Sequence, residues 1–381
     1  MNILFVLTIG LNPSRGGVER VTDVLTKELK RRGHHVFYLC AQKDADNSDA
    51  ATRVFCLNRI SNDKYDHKSI TEYHDVLKAQ KIEVIINQIP LSEGGLFFLK
   101  HTPAGIKKIS VYHSKPLGDY LAKLVVWKNR GIKGKLFTFY YRYKIYSTKR
   151  FFQRIVNASD YLCLLSNSFV EELRLHLGKI NGEKLCAINN PNTFKVVESL
   201  DNISKEKLVV FVGRLNTFQK NTIDFIKVWE IVSKCNPSWR AEIVGDDKGC
   251  RKEHDYIVQN KIERCEFVGY QTNVAKYYCK ASIICVTSHF EGWSMVLTEA
   301  MSYGAVPVAY ATYSSIHEFI TDGKNGFLIE PYHVVQMAEK VQYLINHPME
   351  RKRLSENAIK SIERFKVDYI ADQWEKLLNR P

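Results

Sequence analysis

Ser282-Ile283-Ile284-Cys285-Val286-Thr287 runs directly into Ser288-His289-Phe290-Glu291-Gly292-Trp293-Ser294-Met295-Val296-Leu297-Thr298-Glu299-Ala300-Met301-Ser302-Tyr303-Gly304. The first six residues are uncharged and rich in β-branched side chains, the composition of a strand buried on both faces of a parallel sheet. Gly292 lets the chain bend, and Ser294 stands where a helix N-cap is wanted. Good helix formers then fill Met295 to Tyr303 before Gly304 stops the helix. Strand, turn and helix in that order form the repeating unit of an open α/β sheet, which binds its ligands beyond the carboxyl ends of its strands.

Two carboxylates fall at that edge. Glu291 is on the turn and Glu299 is more than one helical turn further on, so both can face one crevice. Between them the N–H groups of Ser294, Met295 and Val296 and the positive end of the helix dipole offer an anion site. Carboxylates accept from vicinal hydroxyls and amides take phosphates, so the pattern describes a ligand with sugar hydroxyls on either side of a diphosphate, a nucleotide sugar. Two glutamates at this spacing also occur on ordinary solvated helices; the surrounding strand, turn and helix are what raise the ligand reading above that one. Glu, seven residues, then Glu resembles the donor-site motif of the retaining glycosyltransferases of family 4, which have the GT-B fold.

At 381 residues the chain exceeds the size at which single cores stop growing, so two domains are expected. A hydrophobic content of 45% with 25% charged residues places it among soluble globular proteins and excludes disorder. Its nine cysteines are odd in number, widely spaced and without a C-x-x-C pair, which argues against a zinc ribbon or a disulfide framework and for a reducing cytosol. Ile3 to Leu11 is apolar but has no basic flank or cleavage site, so it reads as a first buried strand rather than a signal peptide, and no run is long enough to span a membrane. The net charge of +14 requires an acidic counterpart: phosphate, anionic lipid or nucleic acid.

Asn2 to Leu7 reads as a strand, Pro13 to Glu19 as a flexible loop, Glu19 to Arg32 as an amphipathic helix and His35 to Cys40 as a second strand, together a βαβ unit. The glycines do not form G-x-G-x-x-G, which sets dinucleotide binding low. Gly16, Gly17 and Glu19 match the G-G-x-E that in family 4 closes over the donor phosphates and the acceptor; read alone, the two glycines are turn chemistry. Asp44-Ala45-Asp46 has the form of the metal-binding D-x-D of the other large glycosyltransferase architecture, but no apolar strand leads into it and a solvated loop is expected. Val84 to Gln88 and Lys108 to Tyr112 are further buried strands. The second ends at His113, which matches in position the family's histidine near the donor sugar and could equally be structural.

Between Leu117 and Arg154 lie ten basic residues and one acid, Asp119, interleaved with aromatics such as Tyr120, Trp127, Phe137, Phe139, Tyr140, Tyr143 and Tyr146. This composition fits a segment lying on an anionic membrane surface, each nearby Lys or Arg contributing about 1 kcal/mol before screening. Nothing resembles an RNP motif, zinc finger or helix-turn-helix, so nucleic acid is not the expected partner. A plain alternative is a helical pair with its aromatics in the core and its lysines in water.

Tyr161 to Ser166 is a strand and Phe169 to Leu177 a helix. Ile188-Asn189-Asn190-Pro191 resembles the family's interdomain junction, and the polar run Glu198 to Lys207 suits a linker. The second half opens with the strand Lys207 to Val212, then Gly213-Arg214-Leu215 and Lys220 before a helix from about Asn221 to Cys235. This would aim two cations at the crevice that Glu291 and Glu299 line, where they neutralise a departing diphosphate. The family's G-R-L…K matches, except that Asn221 stands where it usually has glycine. Past the strand Cys265 to Gly269, Tyr270 matches the wall of the nucleotide base, or is a packed core tyrosine.

The resemblance spans nearly the whole chain and is strongest from Val209 to Ile329. It implies an α/β, GT-B fold: two Rossmann-like domains facing across a cleft, residues 1–192 for the acceptor and 206–364 for the donor, with 365–381 returning as a helix to the first. It also implies hexosyl transfer with retention, without metal or other cofactor. In that reaction Arg214, Lys220 and the amides after Gly292 hold the diphosphate, Glu299 holds the ribose, and Glu291 holds the donor sugar with His113 close by. Glu291-Gly292-Trp293-Ser294-Met295-Val296-Leu297 resembles users of UDP-galactose or UDP-N-acetylhexosamine more than users of GDP-mannose. The basic aromatic segment points to a lipid-linked acceptor, as in bacterial surface polysaccharide or lipopolysaccharide assembly, and to a cytoplasmic protein peripheral on the membrane's inner face. The rivals are a GT-B phosphorylase, for which no pyridoxal-phosphate lysine motif is present, a UDP-sugar epimerase, and a non-catalytic membrane- or nucleic-acid-binding protein.

Overall fold

The computed structural model describes residues 1–42, 54–56, 67–127, 131–178, 182–197, 200, 203–215 and 218–380. Asp44-Ala45-Asp46 lies outside the described residues. The chain divides into two compact units, Met1–Pro191 with Val367–Pro381, and Asn192–Lys366.

The first unit is built on the strands β1 (Asn2–Ile9), β2 (His35–Gln42), β3 (Val54–Cys56), β4 (Val84–Asn87), β5 (Lys107–Tyr112), β6 (Tyr161–Leu164) and β7 (Leu185–Ala187). They form one parallel sheet in the order β3-β2-β1-β4-β5-β6-β7. The helices of this unit are α1 (Gly17–Arg31), α2 (His67–Ala79), α3 (Glu93–His101), α4 (Gly118–Trp127), α5 (Gly131–Ala158) and α6 (Asn167–Leu177). Strands such as Val84–Asn87, apolar but for its last residue, are buried along their whole length, because helices cover both faces of a parallel sheet.

The second unit repeats the plan. Its strands β8 (Glu206–Val212), β9 (Arg240–Val244), β10 (Cys265–Gly269), β11 (Ala281–Val286), β12 (Val306–Tyr310) and β13 (Phe327–Ile329) are ordered β10-β9-β8-β11-β12-β13. Its helices are α7 (Thr222–Cys235), α8 (Arg251–Gln259), α9 (Ala275–Lys280), α10 (Met295–Ser302), α11 (Val334–Asn346) and α12 (Pro348–Ile362). Phe211, Phe225, Trp229, Ile283 and Val308 are among the fully buried residues of its core. In both units the strand order reverses beside the first strand, at β1/β4 and at β8/β11. The gaps there open at the carboxyl edge of the sheet, where doubly wound folds bind ligands.

Several boundaries differ from the sequence reading for local reasons. Helix α1 begins at Gly17, not Glu19, with Gly16 as its extended N-cap. Helix α6 begins at Asn167 because the Ser166 hydroxyl accepts from the Ser168 N–H. The stretch expected to link the domains ends in structure: Glu206 and Lys207 open β8, and residues 192–205 belong to the second unit.

The last helix, α13 (Val367–Asn379), belongs to the first unit. Its apolar residues Ile370, Trp374 and Leu378 join that unit's core, and its acids clasp α1. Arg32 donates to Glu28 at 2.7 Å, to Asp372 at 2.6 Å, to Glu375 at 2.8 Å and to the Asp368 carbonyl at 2.8 Å. The Arg31 guanidinium above all, then that of Arg32, holds the Glu28 carboxyl down at about 2. A carboxyl held below its unfolded value stabilises the fold above about pH 4.5 and loses that contribution as pH falls towards 2. Glu28→Gln should therefore lower the denaturant midpoint at pH 7 and flatten its decline between pH 4.5 and 2; a midpoint unchanged at pH 7 would show that the clasp adds nothing.

Candidate active site

At the end of β8 the chain passes through Gly213, whose N–H donates to the Val244 carbonyl at 3.0 Å, and continues into Arg214. A Cβ on Gly213 would lie 3.1 Å from both Cδ and Cε of Lys220, so the lysine stem passes directly over the glycine. Gly245, at the end of β9, is more tightly confined: its φ is +154°, and a Cβ there would lie 2.0 Å from the Gly213 carbonyl oxygen. Glycine is required at Gly245 by close approach to backbone, whereas a side chain at Gly213 would have to displace the lysine stem.

Lys220 is aimed by its own backbone. The Thr287 hydroxyl, just past β11, donates to the carbonyls of Lys220 at 3.2 Å and of Asn221 at 2.9 Å. Asn221, the N-cap of α7, has φ +53° and ψ +50°. Apart from glycine, asparagine is among the few residues that tolerate this left-handed conformation, which explains why it can replace the family's glycine here. Its amide also donates to Asp224 at 2.7 Å.

The Lys220 ammonium meets Glu291 Oε1 at 2.6 Å. The same oxygen accepts from the Ser288 hydroxyl at 2.7 Å, and Oε2 accepts from the Gln219 amide at 2.8 Å. Glu291 is 5% exposed. The loops are stitched together by His289 N–H to the Gln219 carbonyl at 2.8 Å and by stacking of Phe218 on His289 at 4.3 Å. Lys220 and Glu291 thus close the gap between β8 and β11, where the strand order reverses.

Glu299 is 1% exposed and is held by a different set of residues. Its Oε1 accepts from the Thr193 hydroxyl and its Oε2 from the Tyr278 hydroxyl, each at 2.9 Å. The open carboxylate expected from the sequence is therefore already tethered inside its unit. Ser294 stands at the N-cap of α10, but its side chain makes no cap bond, and the Met295 N–H turns back to the Trp293 carbonyl at 2.9 Å. Of the three amides expected to be open, those of Ser294 and Val296 make no backbone bond among the described residues. Tyr270 follows Gly269 at the end of β10 and is 63% exposed, which excludes the core alternative.

The remaining expected residues lie in the first unit. Glu19, in the first turn of α1, folds back so that a Cβ on Gly16 would lie 2.9 Å from Glu19 Oε2. His113 follows β5, and its Nε2 hydrogen-bonds Gln88 Oε1, which fixes the Nε2–H tautomer. Nδ1 is buried and has no partner among the described residues. Burial pushes the imidazole down to about 4, so it is neutral at pH 7. Sequence reading missed Gln219, Ser288, Gln88, Thr193 and Tyr278. The first two flank residues it singled out, but nothing local marks Thr193 or Tyr278, which meet Glu299 only through the fold.

Two family profiles match the chain: Glycosyltransferase Family 4 over residues 15–191 and Glycosyl transferases group 1 over residues 194–361. Together they take in nearly all of both units, and the chain belongs to this family of GT-B glycosyltransferases. Among its relatives is an uncharacterized glycosyltransferase of Haemophilus influenzae, 24% identical over 380 residues that make up 98% of each chain. Another is an alpha-1,4-N-acetyl-D-galactosaminyltransferase of Campylobacter jejuni, named for a PP-undecaprenol acceptor. It is 30% identical over 191 residues, 50% of this chain and 53% of that one. Of solved structures, S. aureus TarM in complex with fondaparinux, alpha-GlcNAc-glycerol and UDP superposes with a TM-score of 0.76 at 16% identity, covering 100% of both chains. HepE of Anabaena in complex with UDP and glucose gives 0.75 at 18%, covering 99% of both. At these identities the likeness is one of fold.

Removing one partner of a buried ion pair leaves an uncompensated charge, so Lys220→Met should cost about 3 kcal/mol in chemical denaturation. Lys220→Met combined with Glu291→Gln should recover most of that loss; two costs that simply add would contradict the pairing.

Proposed function

We propose that the chain is a retaining, metal-independent glycosyltransferase. It moves a hexose or N-acetylhexosamine from a UDP-linked donor to a glycan or lipid-linked acceptor in bacterial surface polysaccharide synthesis. The observation that carries this reading is the Lys220–Glu291 pair at the carboxyl edge of the second sheet, beside Gly213-Arg214 and the start of α10. On donor binding, the diphosphate becomes a second partner of the Lys220 ammonium beside Glu291. Glu291 is thereby released towards the hydroxyls of the donor sugar, while Arg214 and the amides of Ser294 and Val296 take phosphate oxygens. The charge that develops on the leaving diphosphate then meets fixed cations and dipoles, which do here what a metal does elsewhere. Glu299, held in place by Thr193 and Tyr278, takes the ribose hydroxyls. Exposed Tyr270 is free to cover the base. In the first unit Gly16 and Glu19 serve the acceptor side, Gly17 is a donor-binding residue, and His113, neutral at pH 7, is a catalytic one.

The choice of UDP is supported by neighbours of the same fold that bind it and by the sequence around Ser294-Met295-Val296. Relatives named for poly(glycerol-phosphate), a PP-undecaprenol-linked glycan and lipopolysaccharide support the acceptor class. Calorimetry should show UDP binding in the micromolar range. Arg214→Ala should weaken it at least tenfold and Glu299→Ala somewhat less, turnover should persist in EDTA, and proton NMR should show the donor's anomeric configuration in the product. No nucleotide bound better than millimolar would remove the reading.

The α4–α5 hairpin supplies a membrane contact. Among the described residues no helix is long and apolar enough to cross a membrane, yet Leu136, Phe139, Tyr143 and Tyr146 stand in solvent on α5, Phe139 at 78% exposure. Only part of the hairpin's aromatic set is packed inward, with Phe152 fully buried against Tyr112 at 5.1 Å. Exposed rings beside Lys133, Lys135, Arg142 and Lys144 match the interface of an anionic bilayer. Phosphatidylglycerol vesicles should co-sediment the protein at low salt. Replacing Lys133, Lys135, Arg142 and Lys144 with Gln should abolish this; unchanged sedimentation would exclude the surface.

A further inference from the structure

At the foot of the α4–α5 hairpin, wholly within the first unit, lies a cavity of about 260 Å³ that the site described above does not use. It is below the roughly 300–1,000 Å³ of pockets for drug-sized ligands, so it admits one ring and its substituents rather than a nucleotide. Its lining is sorted by chemistry. Tyr112 and Phe151 provide aromatic walls, Ser114, Ser147 and Thr148 provide hydroxyls, and Lys115 provides an ammonium. The one carboxylate, Asp119, is already paired with Lys123 at 2.7 Å.

The backbone that presents Lys115 is strained. Leu117 is buried yet has φ +60°, in the left-handed region that a leucine rarely enters. The turn closes with the Gly118 N–H on the Lys115 carbonyl at 3.0 Å, and a Cβ on Gly118 would lie 2.9 Å from Lys115 Cβ. The chain accepts a strained leucine and an obligatory glycine to seat the lysine over the start of α4, and such outliers gather at ligand clamps. The corner is also electropositive. Beyond the effect of burial, Lys149 and then Lys115 push the His176 imidazole below its ordinary value, with only Glu172 opposing.

The geometry points to a binding site for a saccharide phosphate, the phosphorylated first sugar of the acceptor, with Lys115 and the hydroxyls of Ser147 and Thr148 on the phosphate and Tyr112 and Phe151 against the ring. The ligand's identity as acceptor rests on the transferase reading; the site does not. It lies on the hairpin whose exposed rings suit a bilayer surface, so an acceptor anchored in lipid would be taken up where the protein touches the membrane.

The test is calorimetry with glucose 1-phosphate in the presence of saturating UDP, with glucose and inorganic phosphate as separate arms. Glucose 1-phosphate should bind at millimolar concentration and at least tenfold tighter than either fragment. Lys115→Ala should weaken it tenfold or more, and Ser147→Trp, at an exposed position that fills the cavity, should abolish it. UDP affinity and thermal midpoint should stay at wild-type values in both variants. Binding of glucose 1-phosphate that neither variant alters would overturn the site, and phosphate binding as tightly as the sugar phosphate would overturn its saccharide part. A wild-type protein that binds glucose 1-phosphate in this way but not UDP would keep the site and remove the transferase reading instead.

Discussion

A half-buried ammonium and a buried carboxylate 2.6 Å apart at the reversal point of the second sheet are the contact on which the rest of the site depends. Such a pair is costly to assemble, because both charges leave water, and it persists only where further hydrogen bonds satisfy them. Here those bonds come from Gln219 and Ser288, and the lysine is steered by a backbone that Thr287 pins and Asn221 bends. Gly213 and Gly245 contribute by lacking a side chain. Each would otherwise press on the lysine stem or on the neighbouring strand end. The local irregularities of strands β8, β9 and β11 at this edge thus have one physical outcome: a cation held without freedom beneath a carboxylate.

The two units share a topology and differ in what stands at the reversal point. In the first, Gly16 ends the loop after β1, Gln88 follows β4, and the neighbouring histidine is neutral at pH 7. In the second, the same places carry Gly213-Arg214 and Glu291, with Lys220 beneath. An edge of hydrogen-bonding groups with the Glu19 carboxylate suits hydroxyls, and one that carries Arg214 and Lys220 suits phosphates. The fold supplies the same concavity twice, and the side chains grafted onto it decide the ligand, as is general for doubly wound proteins.

Much of this could be read from the chain because the decisive signals are local. Apolar stretches ending at Gly213, Gly245 and Gly269, and the uncharged run Ser282 to Thr287 before Glu291, mark parallel strands and their carboxyl edge, so the sheets and the positions of Arg214, Lys220 and Glu291 along them follow from sequence. What escaped it depends on distance or on side-chain competition. Glu299 reads as an open acid, yet Thr193 and Tyr278, 106 and 21 residues away, occupy it. Ser294 reads as a cap because serine commonly caps, but the turn leaves its hydroxyl out of reach of the helix amides. Asn221 reads as a departure from the family pattern, and its left-handed φ shows it to be a conservative one. The hairpin's exposed rings were visible only as composition, since periodicity alone does not say whether an aromatic faces a core or solvent.

The central claim is that a nucleoside diphosphate is held by the second unit at the β8/β11 reversal. The most direct measurement is the crystal structure of the protein soaked with UDP. The account predicts pyrophosphate density within hydrogen-bonding distance of the Lys220 ammonium and the Ser294 and Val296 amides, with the Lys220–Glu291 distance lengthened from 2.6 Å. Pyrophosphate density against Gly16 and Gly17 of the first unit, with that ion pair undisturbed, would contradict it.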